Sequence, residues 1–497
     1  MKGAGNLAKF IIEQGLERNS NGTDKRVLAL LNSLARNPGN ARHKRLLWRI
    51  IGPEIVRRTF LSDPFMPYPE QSEIDGPIRL GKCGEAFFGL YPQELMEGMV
   101  IVGRPGAGKT TLNYHLIEKA NAQGIFCLIL DIKQDYRHII RKITNTLVFR
   151  CEAELDLFKW NPLACPTGSL SNLTGWISTF SDITAEAHAV YDGTGNYIGE
   201  HVYKLYKKFG VFEGSNAYPS LWDLLWEIKN DKHPLISRDS RYKESALNRI
   251  QSILMRMGKS FNCSIGYPIH ELINEHNVVL ELDNLGKKGK IYMIALILAY
   301  VIFYRINNNL RGNLAKPVII LIDEGNEVFD KALERRLGSL TISSLTREAR
   351  EFNLGVVCSC HLFQELSDSV KNVHTRILMS VGEGNNLKEA QLSMGISNEE
   401  RDVNYKLNKG EAIARKAERC TKAFPIQVSS YPIDKNVTVI EVKEHMKQFS
   451  SLLTFEVRQK EDKSAKEELT PEQKAFLWDL FNRPYLSIKE RMDSITL

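Results

Sequence analysis

Met99-Val100-Ile101-Val102-Gly103-Arg104-Pro105-Gly106-Ala107-Gly108-Lys109-Thr110-Thr111 is the stretch on which the reading of this chain turns. Its first four residues are a short apolar strand. The next eight spell a complete Walker A loop, and Thr111-Leu112-Asn113-Tyr114-His115-Leu116-Ile117 reads on as a helix. Strand, glycine loop, Lys-Thr and helix is the context that gives this motif its chemistry. Glycines permit the tight turn and let backbone N–H groups converge on phosphate oxygens. The helix N-terminus adds the positive end of its dipole. The pattern assigns Gly103, Arg104, Pro105, Gly106, Ala107, Gly108, Lys109, Thr110 and Thr111 to nucleotide binding. Lys109 is expected on the β- and γ-phosphates and the Thr110 hydroxyl on Mg²⁺, with ATP and Mg²⁺ as the cofactors.

Outward from the loop, the flanking segments predict an α/β chain. Ile78 to Leu90 holds two short strand-like runs, and Ile125-Phe126-Cys127-Leu128-Ile129-Leu130 is apolar throughout, as suits a parallel strand covered on both faces. Asn277–Leu282, Val318–Ile322 and Gly355–Ser359 are further buried strands, with a helix at 290–306 among them. Strands alternating with helices around such a loop predict a P-loop NTPase fold, a doubly wound, mainly parallel sheet. From about 165 to 275 the pattern is mostly helical, with a polar break at Gly193-Thr194-Gly195-Asn196, and reads as an insertion between core strands. The expected organisation is a basic helical segment at 1–75, a core at 76–455, a charged linker at 456–469 and a small helical segment at 470–497. The last of these opens on Thr470-Pro471-Glu472-Gln473, a capping-box start.

Composition excludes little. With 497 residues, 43% hydrophobic and 25% charged, the chain is ordinary globular protein, long enough for about two or three domains. A net charge of +7 is compatible with a polyanionic partner without requiring one. From Arg42 to Phe60, Arg42, Lys44, Arg45, Arg49, Arg57 and Arg58 stand with one acid, Glu54. Such a run sits either on phosphates or on a solvated face or subunit contact. None of the eight cysteines forms a CxxC pair, so a reduced cytoplasmic compartment without a zinc site is expected. The longest apolar run, Ile291–Tyr304, is short for a bilayer and reads as a buried helix, and no transmembrane segment is expected.

Two further constellations carry chemistry. Leu321-Ile322-Asp323-Glu324 ends a buried strand in two carboxylates, a Walker B pattern. Asp323 is expected to support Mg²⁺ through its water shell and Glu324 to polarise the attacking water. Leu130-Asp131-Ile132-Lys133 follows the second strand. Alternation puts Asp131 and Lys133 on one face near the sheet's C-terminal edge, as nucleotide ligands or as a surface ion pair.

The order of these motifs resembles the HerA–FtsK superfamily of ring-forming ATPases, over residues of about 76–430. Phe158-Lys159-Trp160-Asn161-Pro162-Leu163 resembles the aromatic-Asn-Pro element of HerA-like and type IV secretion ATPases. Asp323-Glu324-Gly325-Asn326 resembles their Asp-Glu-Ala-His form. Arg347-Glu348-Ala349-Arg350 resembles their arginine-bearing helix, and Leu407-Asn408-Lys409-Gly410-Glu411-Ala412 their late Gly-Glu-Ala turn. The resemblance implies ATP hydrolysis coupled to translocation of duplex DNA without sequence preference, by a homo-oligomeric ring, as a hexamer. It also implies an arginine finger given in trans, with Arg350 first and Arg376 second as candidates. Relatives carry a γ-phosphate-sensing Gln where this chain reads Cys360-His361; His361 is either a substitute sensor or a structural histidine. DNA-facing loops are expected at Lys331–Arg336 and in the insertion. Two other readings remain open: an energiser of type IV secretion, and an ATPase scaffold in anti-phage defence that docks a nuclease or NAD-cleaving effector on residues 1–75.

Overall fold

The structure is a computed structural model that describes residues 18–19, 22–23, 25–37, 40–47, 49–50, 69–152, 157–166, 172–187, 192–232, 238–337, 340–382, 384–396 and 407–453. The expected helix over Leu7–Leu16, the charged linker and the C-terminal helical segment lie outside these residues. In the N-terminal region a two-stranded ladder pairs Arg18–Asn19 with Gly22–Thr23, and a helix runs Lys25–Arg36. Residues 41–47 are also helical.

Past residue 75 the described residues form eleven strands. They are β1 (Ile78–Cys83), β2 (Ala86–Leu90), β3 (Met99–Val102), β4 (Phe126–Asp131), β5 (Thr146–Arg150), β6 (Asn277–Glu281), β7 (Val318–Ile322), β8 (Leu354–Cys360), β9 (Thr375–Met379), β10 (Glu411–Lys416) and β11 (Phe424–Gln427). The helices that matter below are α1 (Lys109–Asn121), α2 (Leu173–Ala187), α3 (Asp192–Lys208), α4 (Leu221–Asn230), α5 (Arg238–Met257), α6 (Lys287–Asn307), α7 (Lys331–Leu337), α8 (Thr341–Ala349) and α9 (Asn385–Met394).

The chain divides into two compact units. The first comprises Met1–Lys119, Ser359–Gln364 and Lys371–Tyr431, and the second Ala120–Cys358, Glu365–Val370 and Pro432–Leu497. In the first, the strand order is β2-β1-β11-β10-β9-β3. β3 and β9 are parallel, with Thr375 opposite Met99, and the rest extend antiparallel from β9. In the second, β7-β4-β6-β5 are parallel neighbours, and the Leu354–Cys358 part of β8 pairs parallel with β7. Every residue of Met99–Val102 and of Val318–Ile322 is buried, which is why these runs lack the polar alternation of a half-exposed strand.

In the second unit, helices α2 to α5 follow β5 and precede β6. The expected break at Gly193–Asn196 is instead the first turn of α3. The glycines serve close packing. A Cβ at Gly195 would stand 3.2 Å from the Cβ of Ala185, and one at Gly199 2.9 Å from the Ser181 hydroxyl, so α3 approaches α2 through its bare face. The aromatic-Asn-Pro element anchors this helical group. Phe158 and Trp160 are fully buried, and the Asn161 side-chain amide donates to the carbonyls of Pro219 (3.0 Å) and Ser264 (2.8 Å).

Helix α6 is long and apolar enough to cross a membrane by length and composition, yet 72% of its apolar window is buried here, against α2 and α8 among others. Each leucine or isoleucine it buries contributes about 1.5–3 kcal/mol. Arg305 near its end is buried too, donating to the carbonyls of Phe352 (2.6 Å) and Asn353 (3.1 Å), and burial pulls its pKa down to about 10.

Candidate nucleotide-binding and hydrolysis site

In the first unit the glycine loop is pinned at three points. The Gly103 N–H donates to the Cys360 carbonyl (3.1 Å), the Arg104 N–H to the Ser380 carbonyl (2.8 Å), and the Gly410 N–H to the Ala107 carbonyl (3.0 Å). The late Gly-Glu-Ala turn is therefore a buttress of the loop, and Gly410 sits at φ +84° to make it. Gly106 (φ +81°) and Gly108 (φ +117°) hold conformations that side chains resist. Gly103 is glycine for another reason: a Cβ there would stand 2.9 Å from that of Met379.

Helix α1 opens at Lys109, and the Leu112 N–H donates to the Gly108 carbonyl (3.0 Å). The N–H groups of Lys109, Thr110 and Thr111 precede that bond and belong to the end of the helix that attracts anions. Lys109 is buried, with its ammonium donating to the Gly103 carbonyl (2.7 Å). Beside Gly106 the space for a Cβ is open. A curved backbone, an unblocked approach at Gly106 and a buried ammonium fit a phosphate chain. Alanine at Gly108 imposes about 1–3 kcal/mol of backbone strain on that curve. Gly108→Ala is therefore expected to weaken nucleotide affinity about tenfold or more, as read by titration with a fluorescent ATP analogue, with the circular dichroism spectrum unchanged.

The end of β8 lies beside this loop. Ser359 accepts a hydrogen bond from the Asn113 side chain on α1 (3.0 Å), a contact the motifs did not announce. His361 follows directly, half-buried. Its carbonyl accepts from the Asn386 side-chain amide (2.8 Å), while the Asn386 oxygen accepts the Gln364 N–H (3.2 Å). Arg376, the second candidate finger, is half-buried in β9, donating to the carbonyls of Lys371 (3.1 Å) and Ser393 (2.7 Å), and burial lowers its pKa.

In the second unit, Asp323 and Glu324 directly follow β7, both buried. Glu324 sits in the left-handed region (φ 54°, ψ 45°), and its N–H donates to the Asp323 carboxylate (3.1 Å). The Lys133 ammonium pairs with the Glu324 carboxylate. Burial alone would pull Lys133 down; the hydrogen bond and charge of Glu324, with Asp323 and Asp135, outweigh it and leave its pKa raised.

Asp131 does not share a face with Lys133, because Lys133 lies in the turn after β4, where strand alternation no longer holds. Asp131 is fully buried, and its carboxylate accepts the N–H groups of Lys133 (3.0 Å), Asp135 (3.2 Å) and Tyr136 (2.9 Å). These bonds shape the turn. Burial pushes its pKa up to about 7, against those three hydrogen bonds, and the Glu281 carboxylate adds to the rise. Glu281, opposite it on β6, is itself fully buried and grips Arg137 (2.6 Å) and Arg150 (3.0 Å); Arg150 also lies 3.5 Å from Asp283.

Arg350 is exposed at the C-terminal end of α8. The N-terminus of that helix is capped from α2, where Glu186 accepts the N–H (3.0 Å) and hydroxyl (2.7 Å) of Thr341. Arg335 and Arg336 are exposed on α7, whose Lys331 pairs with Asp368 at 3.1 Å.

The strand pattern and the glycine loop place the chain in the P-loop NTPase fold class, as the motifs predict. Comparison with known proteins finds no matching family model and no matching curated protein. Solved structures do match. VirB4 of Thermoanaerobacter pseudethanolicus is similar with a TM-score of 0.57 at 16% identity, over 72% of this chain and 98% of that one. The bacterial conjugative coupling protein TrwBΔN70 is similar with a TM-score of 0.54 at 10% identity, over 76% and 98%. TrwB in complex with ADP and Mg²⁺ gives 0.52 at 10% identity, over 74% and 93%. At these identities the likeness concerns the fold alone.

Proposed function

We propose that this chain is an ATP-hydrolysing motor of the HerA–FtsK kind that moves duplex DNA as a homo-oligomeric ring, a hexamer by analogy. The observation that carries the reading is the pinned glycine loop with its buried Lys109, on a fold whose seventh strand ends in the buried Asp323-Glu324 pair. In this reading the residues Gly103–Thr111 hold the ATP phosphates, and Thr110 with Asp323 hold Mg²⁺, whose charge offsets that of the phosphates. Glu324 orients and deprotonates water. Arg350, exposed at its helix end, reaches a neighbouring subunit's nucleotide, where a guanidinium stabilises transition-state charge.

TrwB is described as a conjugative coupling protein and has been solved with an ATP analogue and with ADP and Mg²⁺, which supports both the cofactor and the DNA-transfer reading. Exposed Arg335 and Arg336 on α7 are the proposed backbone contacts, so binding falls steeply with salt and tolerates any sequence. All eight cysteines are buried, and a reduced, cytoplasmic setting is part of this reading.

The test is ATPase activity with and without duplex DNA, at low and moderate salt. The expected result is stimulation that salt removes. Turnover indifferent to DNA in a well-folded protein overturns DNA as the substrate. It favours the second reading, a secretion energiser.

A further inference from the structure

Lys133 is the exposed member of a pair whose other member is buried: its side chain is 52% accessible and that of Glu324 is 7%. The turn that carries it is built to hold it there. Asp131 accepts the N–H groups of Lys133, Asp135 and Tyr136, and Gln134 adopts φ +60°, so the backbone leaving β4 has one defined course. On the other side, Glu324 is fixed in a left-handed conformation by the turn after β7, where the Glu327 N–H donates to its carbonyl (2.9 Å). Two constrained backbones thus aim an ammonium at the one carboxylate that the mechanism needs.

A carboxylate oxygen that accepts an ammonium N–H has that lone pair engaged. It is a poorer acceptor for the proton of a water, since general-base action needs the acceptor within hydrogen-bond reach of that proton. The pair as it stands withholds Glu324. An ammonium half in solvent, on a turn rather than a strand, is also the partner that an incoming anion reaches first, because phosphate oxygens compete for the same charge-assisted hydrogen bonds.

We propose that Lys133 is a phosphate-operated latch on Glu324. Its ammonium holds the carboxylate until a phosphate group takes the ammonium over, and Glu324 is then free to engage water. The shared chemistry of the trigger is a phosphate oxygen, supplied either by the nucleotide or by a nucleic-acid backbone. The inference rests on the reading of Glu324 as the water-activating group.

Competition for one ammonium makes binding and pairing reciprocal. Removing the carboxylate charge in Glu324→Gln frees Lys133 for phosphate. The experiment measures affinities of the parent, E324Q, K133M and the double variant for two probes, without turnover. One probe is adenylyl imidodiphosphate with Mg²⁺; the other is a blunt duplex DNA oligomer in the absence of nucleotide.

E324Q is expected to bind one probe about tenfold tighter than the parent, as loss of a charged hydrogen-bond competitor implies. The double variant is expected to lose that gain. The probe that responds identifies the source. If it is DNA, K133M also lowers the salt slope of DNA binding by about one. Where DNA is the responding probe, basal ATPase of K133M without DNA is also expected to rise severalfold.

Equal affinities of parent and E324Q for both probes overturn the latch, as does, where DNA is the responding probe, a K133M basal rate at or below the parent's. E324Q turnover at the parent rate instead overturns the assignment of Glu324. E324Q that is inactive, with unchanged affinities, overturns the latch alone.

Discussion

Glu324→Gln is expected to bind ATP and almost cease to hydrolyse it. The glutamine preserves the volume in a site where Glu324 is only 5% exposed, while it gives up the charge that holds the Lys133 ammonium. What it loses is the ability to take a proton from water. Loss of a positioned general base costs about 10²–10⁴-fold in rate. Single-turnover hydrolysis with an equilibrium nucleotide titration separates the two effects: kcat falls while affinity does not weaken. Lys109→Ala is the contrast. Its ammonium lies buried against the loop, so its removal weakens binding itself. A Glu324→Gln protein that turns over ATP at the parent rate would show that another group activates the water.

The second large effect is on stability. Glu281 is fully buried and is the carboxylate between Arg137, 6% exposed in its side chain, and Arg150, 16% exposed. Glu281→Ala leaves two guanidinium groups in low dielectric, with Asp283 near Arg150 at 3.5 Å and only the more distant pull of Asp283 and Asp131 on Arg137 among the described residues. Breaking a buried pair by removing one partner costs about 3–5 kcal/mol, because a charge is left uncompensated. The expected result is a clear drop in the urea midpoint of the second unit, followed by a fluorophore placed within it. A double change of Glu281 and Arg137 to leucine and methionine should recover part of the loss, since apolar replacement of a whole pair is often neutral. A midpoint unchanged in Glu281→Ala would mean that water reaches the arginines.

Much of the site was open to reading because its chemistry is contiguous. A phosphate cradle is made by consecutive N–H groups, so Gly103 to Thr111 must be neighbours in sequence as they are in space. The strand ends at Asp131 and Asp323 were visible as apolar runs that stop in acid. What resisted reading was of two kinds. Glycines at 193 and 195 look like a break, since glycine weakens helices; in the fold Gly195 lets α3 approach Ala185 on α2, while a Cβ at Gly193 would meet the ring of Tyr242 on α5. The acceptors of Arg376, the carbonyls of Lys371 and Ser393, follow no local pattern.

Local order along the chain was enough to establish the phosphate loop, the acidic strand end and the α/β class, because each depends on residues a few positions apart. Only the folded arrangement could pair Lys133 with Glu324, 191 positions away, or set Asn113 on Ser359, 246 away. Parallel strands are joined through long crossovers, so which strand ends become neighbours is decided by burial across the whole sheet and not by any one segment.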